Sequence, residues 1–175
     1  MDRDNLVLVV GTYADAQAAT DDFNALKAEE ANGEYDVVGA VVMNRDASGK
    51  VDVHEHGDHH VAGGTTLGAI GGLVVGLFAP PLLAATAIGA GIGALLGEFS
   101  KKHQEKKIGV DVEEYLPAGS SAIVAVVDDK WADKVESALV KSDKRINKAI
   151  DSGDYEDLQN AIAKSTDQVA DAITA

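Results

Sequence analysis

Residues 54–60, HEHGDHH, place four of the five histidines of this chain within seven positions, together with Glu55 and Asp58. Neutral imidazole is a ligand for divalent transition metals, and alternate residues of a strand point to one side. His54 and His56 can therefore converge on a metal while His59 or His60 closes from the following turn. The same rings change charge between about pH 5 and 7, which makes a pH-sensitive hinge a second meaning of the stretch. A polar, solvated linker is the third, and it is the reading adopted for this spacing.

Other reactive side chains are scattered. The pairs Asp21-Asp22, Glu29-Glu30, Glu113-Glu114 and Asp128-Asp129 are adjacent in sequence. Neighbouring side chains diverge on a helix, so these carboxylates are expected to be solvated surface or caps rather than shared acid-base sites. The segment Gly89-Ala90-Gly91-Ile92-Gly93 looks superficially like a nucleotide loop, but it follows no strand and lacks the Lys-Ser/Thr of a phosphate-binding loop. Ser120 and Ser121 fall in a turn, and no Ser/His/Asp grouping assembles. Cysteine is absent, which removes thiolate catalysis, disulfides and Cys-based zinc sites. The expectation is a protein that is not an enzyme and has no cofactor.

The elements around these residues are organised by 61–97, VAGGTTLGAIGGLVVGLFAPPLLAATAIGAGIGALLG, which carries no charged side chain. Gly64, Gly68, Gly72 and Gly76 recur every four residues before Pro80 and Pro81, and Ala85, Gly89, Gly93 and Gly97 do so after them. Spacing of four keeps a residue on one helix face, and small side chains let two backbones approach closely. Folding back at the prolines sets 64 against 97, 68 against 93, 72 against 89 and 76 against 85. The spacing predicts an antiparallel, glycine-zipped helical hairpin.

Around it lies a soluble type of pattern. LVLVV at 6–10 reads as a buried strand, Thr12 as a helix cap with Asp15 three positions on, and Ala16, Ala19, Phe23 and Leu26 as a helical stripe. Strands are expected at 35–43 and 50–56, the second with Val51 and Val53 on one face. After the hairpin come a short helix near 111–116, a buried strand at 122–127, and a helix capped by Asp128 or Asp129 with Trp131, Val135 and Leu139 inward. A weak edge strand at 145–150 and an amphipathic helix from 152 with Tyr155, Leu158, Ile162, Val169 and Ile173 on one side end the chain. Two β-α-β units flanking an insertion predict an α+β, ferredoxin-like sandwich. Its parts are 1–60, the first half and hairpin strand; 61–99, the glycine-zipper hairpin; 100–151, a linker and the second half; and 152–175, the C-terminal helix.

VHEHGDHH leading into a GxxxG-rich hairpin with PP at its tip, then LPAGSSAIVAVV, resembles the bacterial family called domain of unknown function 1269. The likeness runs over about residues 5–140. It implies membrane association and adds no catalytic residue.

Composition narrows the partners. A formal net charge of -14 with a pI near 4.5 argues against nucleic acid, whose phosphates need clustered cations. The opening MDRDNLVLVV lacks the long apolar region of a secretory signal, so none is expected. Each hairpin arm, of about 17 residues, is roughly 25 Å long, slightly short for a hydrocarbon core of about 30 Å. Lys101, Lys102, Lys106 and Lys107 can hold an anionic leaflet just beyond it. The outward Leu, Ile, Val and Phe side chains need cover, from lipid or from other subunits. The expected protein is a homo-oligomer anchored by its hairpin on the cytoplasmic side of the inner membrane, with the bilayer and itself as partners. The alternatives are a cytoplasmic self-assembling scaffold that buries the hairpins inside, and an ion-handling membrane protein.

Overall fold

Why LVLVV is apolar on both sides is evident from its place in the sheet. The computed structural model describes residues 5–57, 69–79 and 110–160. In chain order the elements are β1 (Leu6–Tyr13), α1 (Ala16–Ala31), β2 (Val37–Arg45), β3 (Val51–Gly57), α2 (Ala69–Phe78), α3 (Val112–Tyr115), β4 (Ser121–Asp128), α4 (Asp129–Ala138) and β5 (Lys144–Ala149), followed by helical residues 152–160. The five strands make one antiparallel sheet in the order β3-β2-β4-β1-β5. β1 thus has a neighbour on each edge, and every one of its residues is buried.

The connectivity explains the α+β class. β1 and β2 are both antiparallel to β4, which lies between them, so they run parallel to each other across α1. β4 and β5 are likewise both antiparallel to the intervening β1. Each β-α-β unit is split by a strand of the other, so neither can close its sheet alone. β5 is at an edge, as the weak apolar pattern predicts, and β3 is at the opposite one.

Strand alternation sorts the core into two layers. On one face Val7, Val9, Val42, Ile123, Ala125 and Val127 pack with Phe23 and Leu26 of α1 and Val135 of α4. On the other, Leu8, Val10, Val41, Met43, Val124 and Val126 pack with α2, with Tyr115 and Leu116, and with Tyr155 and Leu158 of the C-terminal helical stretch. Val51 and Val53 lie on this second face, as their shared parity predicts.

Several expectations shift. Asp15, not Thr12, caps α1, its carboxylate accepting from the Gln17 N–H at 2.8 Å. Thr12 stays in β1 because it is still paired on both sides, to Ala122 and to Lys144. Ala16 is exposed, while Ala19, Phe23 and Leu26 are buried. Strand two starts at Val37 and runs to Arg45, leaving Tyr35 before it, buried in the connection. Trp131 is only partly buried, and Ala132, Val135 and Ala138 form the inner face of α4. Asp128 is the cap of that helix.

The largest difference concerns the outer flank of the first arm of the expected hairpin. Leu73, Val74, Val75, Leu77 and Phe78 were expected to need lipid or another subunit, yet each is at most 4% exposed within this single chain. α2 lies on β2, β3 and β4. Its last turn is tied down from afar, since the Val110 N–H donates to the Phe78 carbonyl at 2.9 Å. A helix apolar all round is one that is buried all round. Burying five such side chains contributes on the order of 10 kcal/mol before entropy. Of the stripe, Gly72 and Gly76 are in α2 and buried. Gly64, Gly68, Ala85, Gly89, Gly93, Gly97, Pro80, Pro81 and the lysines at 101, 102, 106 and 107 lie outside the described residues, as do Ile162, Val169 and Ile173.

Candidate functional site

β3 ends beside the C-terminal end of α1, and this brings His56 to Glu30. Pairing of Ala40 with His56 and of Val42 with His54 puts both rings on the α1 face of the sheet, as the spacing predicts. There they take different partners. His56 Nε2 meets Glu30 Oε2 at 2.5 Å, and His54 Nε2 meets Asp52 Oδ2 at 3.2 Å. The other oxygen of Glu30 accepts the Val37 N–H at 3.1 Å. One carboxylate therefore ties the end of α1 to the start of β2 and the end of β3.

His59 and His60 lie outside the described residues. Among the described residues no group of three or more His, Asp or Glu side chains is arranged to hold a metal. His54 and His56 each face a carboxylate of their own, an arrangement that orients single rings rather than converging them.

A shallow cleft of about 470 Å³ opens beside His56 and Glu30, lined also by Lys27, Tyr35, Asp36 and Trp131. The Tyr35 hydroxyl donates to the Leu26 carbonyl at 3.0 Å, and burial, aided by the Glu29 carboxylate, pushes its phenol above the ordinary range. It is a neutral donor committed to the backbone. Across the rim, the ammonium groups of Lys130 and Lys134 each lie 5.4 Å from the Trp131 ring centre, and Lys134 donates to the Glu34 carbonyl at 3.0 Å. The polar atoms of the cleft are thus mostly spent on holding the connection between α1 and β2.

A second polar centre is structural and was missed in the sequence. Asp22 is 1% exposed and accepts from the Tyr13 hydroxyl at 2.9 Å and from the Lys141 N–H at 2.8 Å. Burial and the facing carboxylate raise the Tyr13 phenol above its usual range. Its neighbour Asp21 reaches the Lys141 ammonium at 2.7 Å and is held below the usual carboxylate value by that bond. The pair diverges as helix geometry requires, but one member is core rather than solvated surface. Glu30 departs from the solvated reading too. Period-4 patterning could have flagged Asp22, which stands between the inward Ala19 and Leu26 and beside Phe23.

Arg45 closes a third junction. Its guanidinium donates to Glu113 Oε1 and to the Leu116 carbonyl, both at 2.9 Å, while its backbone exchanges bonds with Ser120 and Gly119. The turn expected around Ser120 and Ser121 is met up to Ser120, with Gly119 in the left-handed region at φ 81°, whereas Ser121 is already the first residue of β4, paired with Tyr13 and Asn44.

Fold and site together define a small α+β domain that carries a fully apolar helix on its own sheet and uses its buried polar residues as braces. The chain belongs to the family described as protein of unknown function (DUF1269), whose model matches residues 65–163, more than half of its length. The match starts within the segment expected to form the hairpin, 61–97, and reaches past Leu158, so it takes in the C-terminal helical stretch and leaves out VHEHGDHH, a different span from the 5–140 read in the sequence. No match is found among curated proteins or among solved structures.

Proposed function

We propose that this is a non-enzymatic, homo-oligomeric association protein with a ferredoxin-like sheet, in which the glycine hairpin is a structural arm carried on the second sheet face. The burial of Leu73, Val74, Val75, Leu77 and Phe78 inside a single chain supports the part of this reading that places the arm on the sheet. With that flank covered, neither lipid nor a second subunit is needed to shelter it, and association is supported instead by β3 and β5, the outer strands of the sheet. Gly72 and Gly76, both buried, are where a zipper with Ala85 and Gly89 would begin. A non-catalytic role is supported by the use of Asp22, Glu30 and Arg45 as braces. The cytoplasm suits this reading, in keeping with a chain free of cysteine.

The membrane-associated reading has its own support. α2 contains no polar side chain at all, and the lysines at 101, 102, 106 and 107 follow the hairpin. Among the described residues no helix is long and apolar enough to cross a membrane. In this reading the arm leaves the sheet and embeds from the cytoplasmic side, which bares Leu8, Val10, Val41 and Val124. Sizing of the full-length protein without detergent, together with flotation on vesicles containing anionic lipid, separates the two. A defined assembly that stays at the bottom of the gradient is the expected result. Flotation with detergent-dependent solubility would establish the second reading instead, and a single-copy species would remove both.

A further inference from the structure

The two ends of the sheet are unlike each other and fit each other. β3 and β5 close the strand order, and among the described residues neither has a partner on its outer side. β5, KRINKA, carries Lys144, Arg145 and Lys148, whereas β3, VDVHEHG, carries Asp52 and Glu55 and no Lys or Arg. Edge strands with free N–H and C=O groups are templates for another chain, and like charges on facing edges oppose that pairing. β5 against β5 sets cations against cations. β3 against β3 sets acids against acids.

Direction adds a second constraint. Alternating antiparallel pairs along β3-β2-β4-β1-β5 make the first and last strands run the same way. A copy translated along the sheet, with its helices on the same sides, therefore lays its β5 parallel to β3 of the next.

From these two constraints we infer that β3 of one copy pairs with β5 of another, head to tail, continuing one sheet through successive subunits. The inference rests on the homo-oligomer reading and specifies its interface. One register satisfies both faces at once. Setting residue 52 level with residue 145 brings Asp52 beside Arg145 on the face of α1 and α4. It brings Val53 beside Ile146 on the opposite face, where both are partly buried side chains packed at the rim of the core. His54 then falls level with Asn147. The Asp52 side chain is 71% exposed and, among the described residues, its ion pair is with His54 on its own strand. Arg145 is exposed and donates to the Glu136 carbonyl at 3.2 Å. Such surface contacts are weak and can be exchanged for a cross-chain pair. The contact is heterologous, so it generates rings or open strings rather than a closed dimer.

The test uses the full-length chain, whose lack of cysteine gives a clean background. With His54→Cys and Asn147→Cys in one chain, mild oxidation is expected to give a ladder of covalent dimers, trimers and longer species. Mixing the two single variants should stop at dimers, and either variant alone should give none. As a second arm, Asp52→Arg or Arg145→Asp is expected to weaken association by about tenfold, and the two together to restore it. Cross-links confined to His54→Cys with itself would overturn the inference in favour of a twofold contact. An assembled wild type with no ladder and no response to the charge swap would refute this interface while leaving the homo-oligomer standing. A wild type that sizes as a single copy would remove both.

Discussion

The Tyr13 hydroxyl donates to Asp22 Oδ2 at 2.9 Å, joining the last residue of β1 to the middle of α1 inside the core. The same oxygen accepts from Lys141 N–H in the connection to β5. One buried carboxylate thus fastens the first β-α-β unit to the second.

Removing that acceptor should be costly. Asp22→Ala leaves the buried Tyr13 hydroxyl without a partner, at about 1–3 kcal/mol, and also removes the bond to the part-buried Lys141 N–H, worth about 1 kcal/mol. The expected loss is roughly 3 kcal/mol in urea unfolding, against about 1 kcal/mol for Tyr13→Phe, which removes a donor and leaves Asp22 its backbone bond. Equal losses for the two would show that the carboxylate does not serve both groups.

Stability should decline at alkaline pH. Tyr13 and Tyr35 are both raised above their ordinary value of 10.0 by burial, so the folded chain keeps phenol protons that the unfolded chain gives up. An acid raised on folding supports the fold fully below its unfolded pKa and progressively less above it. The urea midpoint is therefore expected to hold steady up to about pH 9 and to fall beyond about pH 10. Tyr13→Phe should flatten that fall, and an unchanged slope in this variant would count against the buried phenol.

Gly11 is a packing glycine. A Cβ there would stand 2.9 Å from Leu139 Cδ1, 3.3 Å from Ser142 Cβ and 3.4 Å from the Tyr13 hydroxyl. Gly11→Ala is expected to destabilise by about 1–3 kcal/mol through overpacking, and Leu139→Ala in the same chain to recover part of it. Strict additivity in a double-mutant cycle would place the clash elsewhere.

Phe78 reports whether α2 belongs to the folded core. It is fully buried against the sheet, so Phe78→Ala should cost about 3–5 kcal/mol in the cooperative unfolding of the whole domain. Tryptophan fluorescence of Trp131, on the other sheet face, follows that transition. An unfolding curve indifferent to Phe78→Ala would mean that the helix is not docked in solution.

Much of the fold was legible because local chemistry enforces it. The LVLVV and AIVAVV runs, the acidic cap before α4 and the parity of Val51 and Val53 need only strand alternation and capping to be read. At the turn that joins β2 to β3, Asp46 Oδ1 accepts from the Ser48 and Lys50 N–H groups at 2.8 and 2.9 Å, and Gly49 supplies the φ of 89°. The candidate site was legible only in part. The histidines announce themselves, but Glu30 is 26 positions from His56, and nothing local distinguishes it from the solvated Glu29 beside it.

Sequence by itself determined the class of each element and the charge of each edge, because a strand or helix records its own period and its own side chains. It also determined that α2 must be covered, since a helix without a polar face has no stable place in water. The seat it rests on was decided in the tertiary structure, where β2, β3 and β4 come together from distant segments to make an apolar face that receives one side of it. Partner choice for Asp22, Glu30 and Arg45 was decided there as well. Each of those bonds depends on where two chain segments meet, and no local pattern encodes that distance.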